Sequence, residues 1–170
     1  MHPALLACLT SGPVQAAAPA PPPAIPGAVE ARPGLFVAGA TTPEMLAALK
    51  ARGVTAVLNL RLDGEADVAA DQKLLEGQGI RYARCPVGRE PDARTLDAFR
   101  AAFRALPRGP GAVLVHCASG NRVAGALYTV WTLDEGMAPE AALALARKAG
   151  LHSPATEAAV KAYVAARLKP

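Results

Sequence analysis

Seven consecutive residues could do chemistry: His116, Cys117, Ala118, Ser119, Gly120, Asn121 and Arg122. They follow the apolar run Ala112–Val115 and precede an apolar stretch from Val123, the pattern of strand, loop and helix. A helix N-terminus presents unpaired backbone N–H groups and the positive end of its dipole, which together make an anion site. Gly120 lets the backbone curl so that successive N–H groups converge, and Arg122 can add a two-pronged contact to a pair of phosphate oxygens. Cys117 falls at the base of this bowl, where the same positive field favours thiolate over thiol. A thiolate beneath an oxyanion cradle is a nucleophile aimed at phosphorus or sulfur. The bland alternative is a buried cysteine ending a strand and an arginine in a surface ion pair. The conjunction of buried strand, His116, Gly120 and apolar helix points away from it.

Such a loop works only if other elements hold it. Leu35-Phe36-Val37, followed by Gly39, reads as a strand. Thr42-Pro43-Glu44 reads as a helix start, with Thr42 as cap and Pro43 in the first turn, and the helix runs to Arg52 and stops at Gly53. Val54–Leu60 is a buried strand, Asp67–Gln78 a helix, Ile80–Val87 a strand, and Thr95–Leu106 a helix capped by Thr95. A strongly apolar helix runs from Val123 to about Glu135, and two more begin at Pro139 and Pro154. Strands alternating with helices imply parallel pairing through right-handed crossovers. The predicted fold is therefore α/β: a parallel sheet of about four strands flanked by helices, with a helical C-terminal cluster. Ligands bind such sheets beyond the carboxyl ends of the strands, where His116–Arg122 falls.

The chain of 170 residues fits one domain with room for a tail, and 52% hydrophobic against 19% charged residues exclude global disorder. With 4% aromatics the core must be built from Ala, Leu and Val. Three cysteines, Cys8, Cys85 and Cys117, exclude a disulfide scaffold and a four-cysteine zinc site. No His/Asp/Glu cluster suggests a metal, and no cofactor is expected. A net charge of +4 is too small to argue for nucleic acid, but it suits a small anionic substrate.

Met1–Val29 carries no Asp, Glu, Lys or Arg and is broken by Pro13, Pro19, Pro21, Pro22, Pro23 and Pro26, which preclude a membrane-spanning helix. Residues 1–33 read as an export leader and proline-rich linker, implying a periplasmic protein, and residues 34–170 as the domain. With a true start upstream, Leu5-Leu6-Ala7-Cys8 would resemble a bacterial lipoprotein box with Cys8 lipidated. An Ala/Pro-rich disordered leader is the plainer reading.

The loop resembles that of the cysteine-dependent protein tyrosine and dual-specificity phosphatases. Within them it is most similar to the small bacterial branch that includes the phosphatase-like domain of beta-lactamase hydrolase-like proteins. Gly34–Gly39, Thr42-Pro43-Glu44, Gly53-Val54 and Val57-Leu58-Asn59-Leu60-Arg61 carry the same resemblance, which covers about Gly34 to Ala149. It implies phosphate monoester hydrolysis through a phosphocysteine on Cys117. Arg122 and the N–H groups of Ala118, Ser119, Gly120 and Asn121 would hold phosphate, and His116 would orient the loop. The substrate would be a phosphorylated protein or a small phosphoester. Four residues, not the usual five, separate Cys117 from Arg122, as is common in the bacterial branch. Val123 replaces the hydroxyl residue that helps the thiolate leave, a part Ser119 could take. The resemblance places the general acid on Val87–Asp92, with Asp92 first and Glu90 second, although alignment on Cys85-Pro86 brings the acid position nearer Arg89. Asp92 could instead simply help cap the following helix.

Two rivals stand beside this reading. The short spacing is also that of rhodanese-type sulfurtransferases, with Cys117 carrying a persulfide, although Glu135-Gly136 and helices replace the strand and Gly-Gly-Trp-like segment expected there. A phosphatase fold that only binds phosphate is the other. Among the remaining residues, Arg61 is expected to pair with Asp63 or Glu65. Cys85 reads as a buried free thiol, rather than as the disulfide partner of Cys117. Tyr128 and Trp131 read as core, and the run of arginines from Arg81 to Arg108 as one basic face.

Overall fold

The computed structural model describes residues 24–65, 68–107 and 109–168. Five strands and six helices follow in the order β1 (Ala28–Arg32), β2 (Leu35–Ala38), α1 (Pro43–Ala51), β3 (Val54–Asn59), α2 (Val68–Gly77), β4 (Arg81–Arg84), α3 (Ala93–Arg104), β5 (Ala112–His116), α4 (Asn121–Leu133), α5 (Pro139–Lys148) and α6 (Pro154–Leu168). The sheet order is β1-β2-β5-β3-β4. Strands β2, β5, β3 and β4 run parallel, and β1 pairs antiparallel with β2. The apolar runs of β3 and β5 sort by period two onto the two faces of the sheet. Val37, Leu58 and Val115 face α3, α4, α5 and α6, while Phe36, Val57 and Leu114 face α1 and α2.

Helix α4 is the centre of the larger layer. Twelve of its thirteen residues are buried, which fits a helix apolar on every side. Tyr128 and Trp131 lie in this core as expected, Trp131 fully buried. Gly125 is the place where α6 comes closest: a Cβ there would stand 2.9 Å from Thr156 Cγ2.

The structure extends the sequence reading at the sheet edge and corrects it at one helix cap. The four parallel strands stand as expected, and a fifth, antiparallel strand joins their edge: β1 lies in the stretch read as linker, and Ile25 is buried beneath α1 and β2. This edge strand, Ala28-Val29-Glu30-Ala31-Arg32, has too little apolar alternation to stand out beside a proline-rich run. It turns into β2 through Pro33 and Gly34, whose φ of 75° is left-handed. The remaining leader, residues 1–23 with Cys8, lies outside the described residues. Finally, α3 is capped by Asp92, whose side chain accepts from the Thr95 N–H at 2.8 Å, not by Thr95. Among the described residues no helix is long and apolar enough to cross a membrane.

Candidate functional site

Strand β5 sits in the middle of the parallel sheet, so its carboxyl end opens between those of β2 and β3. Backbone bonds stitch the three together there. The Cys117 N–H donates to Ala38 O at 3.2 Å, and the Leu60 N–H to His116 O at 2.9 Å. Gly39 then runs against the loop, pairing with Ser119, and a Cβ on it would lie 3.2 Å from Ala118 O and from Ser119 Cα. The tight approach admits only glycine without the loop yielding.

The loop turns at Gly120, whose φ of 81° is left-handed and which caps α4 through its backbone, with no side-chain hydrogen bond. Its N–H donates to Cys117 Sγ at 3.1 Å. Cys117 is fully buried. A backbone donor at the start of α4 thus points at the sulfur. The Arg61 guanidinium reaches beneath from just past the end of β3, donating to Cys117 O at 3.3 Å. Its terminal nitrogen donates to Thr41 Oγ1 and Asp71 Oδ2 at 3.3 and 3.4 Å. Arg61 thus braces the loop and pairs with Asp71, not with Asp63 or Glu65 as expected. Asp63 instead takes Arg84.

Glu65 takes Arg122. The pair is two-pronged, at 2.8 and 3.0 Å, and Arg122 also donates to Val87 O at 2.9 Å. Burial alone would lower the Arg122 pKa, but its hydrogen bonds and charge contacts with Glu65 and Cys117 outweigh that and hold it raised. In turn the Arg122 hydrogen bond lowers the Glu65 carboxyl below its ordinary range, against its partial burial. The guanidinium plane is fixed before any anion arrives.

His116 is fully buried and neither ring nitrogen has a partner among the described residues. Burial first, then the charge of Arg61, lowers its pKa from 6.5 to about 3, so the ring is neutral. The orienting role the resemblance implied for it is not carried by hydrogen bonds of its ring nitrogens. Cys85 is a buried free thiol, its pKa raised by burial, and no disulfide joins it to Cys117.

Asn121 ties the loop to the C-terminal helices. Its amide donates to Thr156 Oγ1 at 2.8 Å, and its Oδ1 accepts from the N–H groups of His152 and Ser153, both at 2.9 Å. Thr156 Oγ1 donates in turn to Arg89 O at 2.6 Å. The result is a cleft of about 280 Å³, walled by Ala118, Ser119, Asn121 and Arg122 of the loop and by Glu65, Arg89, His152 and Ser153 from elsewhere. Of the expected acids, neither Asp92 nor Glu90 lines it. Asp92 is spent on the α3 cap, where the Thr95 hydrogen bonds lower its carboxyl pKa. The sequence reading missed Glu65 as the Arg122 partner and missed His152 altogether. A Glu two residues after Asp63 and a His before a helix-starting Pro carry no signal of their own. Of the arginines read as a basic face, Arg84, Arg100 and Arg104 are neutralised by Asp63 and Asp134.

No protein-family model and no curated protein matches the chain. Solved structures do. A DUF442 candidate phosphatase from Shewanella putrefaciens CN-32 is 27% identical with a TM-score of 0.66, over 84% of this chain and 93% of that one. Human DUSP28 is 23% identical with a TM-score of 0.65, over 86% and 99%. P. aeruginosa TpbA, in a Cys-to-Ser form holding pTyr, is 21% identical with a TM-score of 0.61, over 78% and 79%. The chain has the fold of the cysteine-dependent tyrosine and dual-specificity phosphatases, as its loop resemblance implied.

Proposed function

We propose that this chain, built on the cysteine-phosphatase fold, hydrolyses phosphate monoesters at the His116–Arg122 loop through a phosphocysteine intermediate. The observation that carries the reading is the Gly120 N–H on Cys117 Sγ, with Arg122 held flat by Glu65 beside the same loop. That pairing sets an N–H donor on the attacking sulfur and an oriented fork for phosphate oxygens. Cys117 Sγ attacks phosphorus, the P–O bond to the leaving group breaks, and water then cleaves the P–S bond and returns the thiolate. Since Cys117 is buried, the loop must uncover the sulfur for this attack. Phosphotyrosine, the ligand of the P. aeruginosa neighbour, belongs to the ester class that such a site takes, as do small phosphoesters.

The sulfurtransferase reading loses ground because α4 is followed by α5 and α6, with no strand between or after them among the described residues. The binding-only reading draws on Val123, fully buried where a hydroxyl would assist the leaving thiolate, although Ser119 lines the cleft. The purified protein should release phosphate from an aryl phosphate, and Cys117→Ser should not. Thiocyanate from thiosulfate and cyanide, with no phosphate release, would replace this reading by the sulfurtransferase. Neither product, with phosphate still bound, would leave a binding module.

A further inference from the structure

We propose that His152 donates the proton to the leaving oxygen at this site; the assignment rests on the phosphatase reading above. Breaking a P–O bond to a basic oxygen needs a proton delivered as the bond opens. The expected suppliers do not line the cleft: Asp92 accepts from the Thr95 N–H as the α3 cap, and Glu90 is likewise absent from the cleft wall. Within the cleft, Glu65 is committed to Arg122 through both oxygens. Arg89 and Arg122 are guanidinium cations that do not give up a proton. Ser119, Ser153 and Asn121 offer hydroxyls and an amide, which do not titrate near neutrality. His152 is the remaining side chain of the cleft whose chemistry lets it both give and take a proton.

Its placement fits the task. Its own N–H and that of Ser153 both donate to Asn121 Oδ1, so the residue is anchored to the phosphate loop itself. Its Nδ1 lies 2.8 Å from Gly150 O. A carbonyl oxygen can only accept, so Nδ1 carries hydrogen and Nε2 is left as the nitrogen that gains and loses a proton. His152 is exposed, on the turn between α5 and α6, where it lines both this cleft and the neighbouring hollow walled by Arg147, Pro154, Glu157 and Lys161. In the first step Cys117 Sγ bonds to phosphorus, the P–O electron pair passes to the leaving oxygen, and that oxygen takes the Nε2 proton. In the second step water attacks phosphorus, its proton passes to Nε2, and the P–S pair returns to sulfur. The sum is ester plus water to alcohol plus phosphate, with His152 restored.

The test compares an aryl phosphate bearing an acidic leaving group with an alkyl phosphate bearing a basic one, for the wild type, His152→Asn and Asp92→Asn. The amide introduced by His152→Asn can keep the bond to Gly150 O, so the variant holds the turn. With His152 as donor, kcat/KM of His152→Asn falls about 100-fold on the alkyl ester and far less on the aryl ester. Asp92→Asn shows no such split. Equal losses of His152→Asn on both esters, or no loss on either, overturn the assignment, as does a leaving-group-dependent loss in Asp92→Asn. If the wild type releases phosphate from neither ester, the phosphatase reading itself fails and takes this assignment with it. Wild-type turnover with an indifferent His152→Asn leaves that reading standing and removes this one alone.

Discussion

At the scale of the residue, three groups of the site are already engaged. Cys117 Sγ has the Gly120 N–H, Arg122 has Glu65 and Val87 O, and Asn121 has the α5–α6 turn. Fixing a guanidinium before substrate arrives removes an ordering cost that would otherwise fall on the transition state. A lysine at position 122 would keep the charge and lose the fork. Arg122→Lys is therefore expected to lose on the order of 10²–10³-fold in kcat on an aryl phosphate, in the range seen for losing one oxyanion donor. Glu65→Gln, which keeps the shape but removes the charge, should fall between wild type and Arg122→Lys. If steady-state kinetics find Glu65→Gln as active as the wild type, the pairing does not prepare Arg122. The Cys117→Ser and His152→Asn outcomes given above belong to this scale too.

At the scale of the element, the loop is positioned by two close approaches. One is β2 against the loop at Gly39, and the other is α4 against α6 at Gly125. Placing Ala at position 125 sets two effects against each other. Removing a helix-interior glycine gains roughly 0.5–1 kcal/mol. The new methyl meets Thr156 Cγ2 at 2.9 Å, and Thr156 cannot swing away because its hydroxyl is bonded to Asn121 and Arg89. Overpacking of that kind costs about 1–3 kcal/mol, so the clash wins. Gly125→Ala should lower stability by up to about 2.5 kcal/mol in urea unfolding. The displaced Asn121 should also lower turnover. A variant more stable than wild type would show that α6 can shift freely against α4.

At the scale of the whole molecule, the buried neutral His116 makes stability depend on pH in an unusual window. Above pH 6.5 the ring is neutral in both folded and unfolded chains. Between 6.5 and about 3 the unfolded chain binds a proton that the folded chain refuses, so stability falls as pH drops. The loss reaches on the order of 3 kcal/mol by pH 4. Glu65, Asp97, Asp134 and Glu157 also have lowered values, each through hydrogen bonds to an arginine or a tyrosine. Their contribution is present above the ordinary carboxylate range and is lost at lower pH, as they protonate in the folded state. The melting temperature of the wild type should therefore begin to fall near pH 6.5, ahead of the carboxylates. His116→Asn, whatever its absolute stability, should lack the upper part of that fall. A wild-type melting temperature constant from pH 7 to 5 would contradict the buried neutral ring.

Local pattern alone determined the strand, loop and helix around Cys117, the apolar α4, the alternating α/β order and the buried strands β3 and β5. All of these are written in residues a few positions apart: period-two and helical apolar spacing, a capping Thr42, a glycine where the loop turns. Tertiary structure alone decided the partners. Glu65 reaches Arg122 across 57 positions of chain and Val87 across 35, Arg61 braces Cys117 across 56, and His152 meets Asn121 across 31. Which carboxylate meets which arginine depends on where parallel crossovers deliver the loop ends, and neighbouring residues hold no record of that. Asp92 shows the same divide. An acid ahead of a helix can be a proton donor or a cap; the cap is local, made with the N–H three residues on, and tertiary structure decided only that Asp92 stands outside the cleft wall.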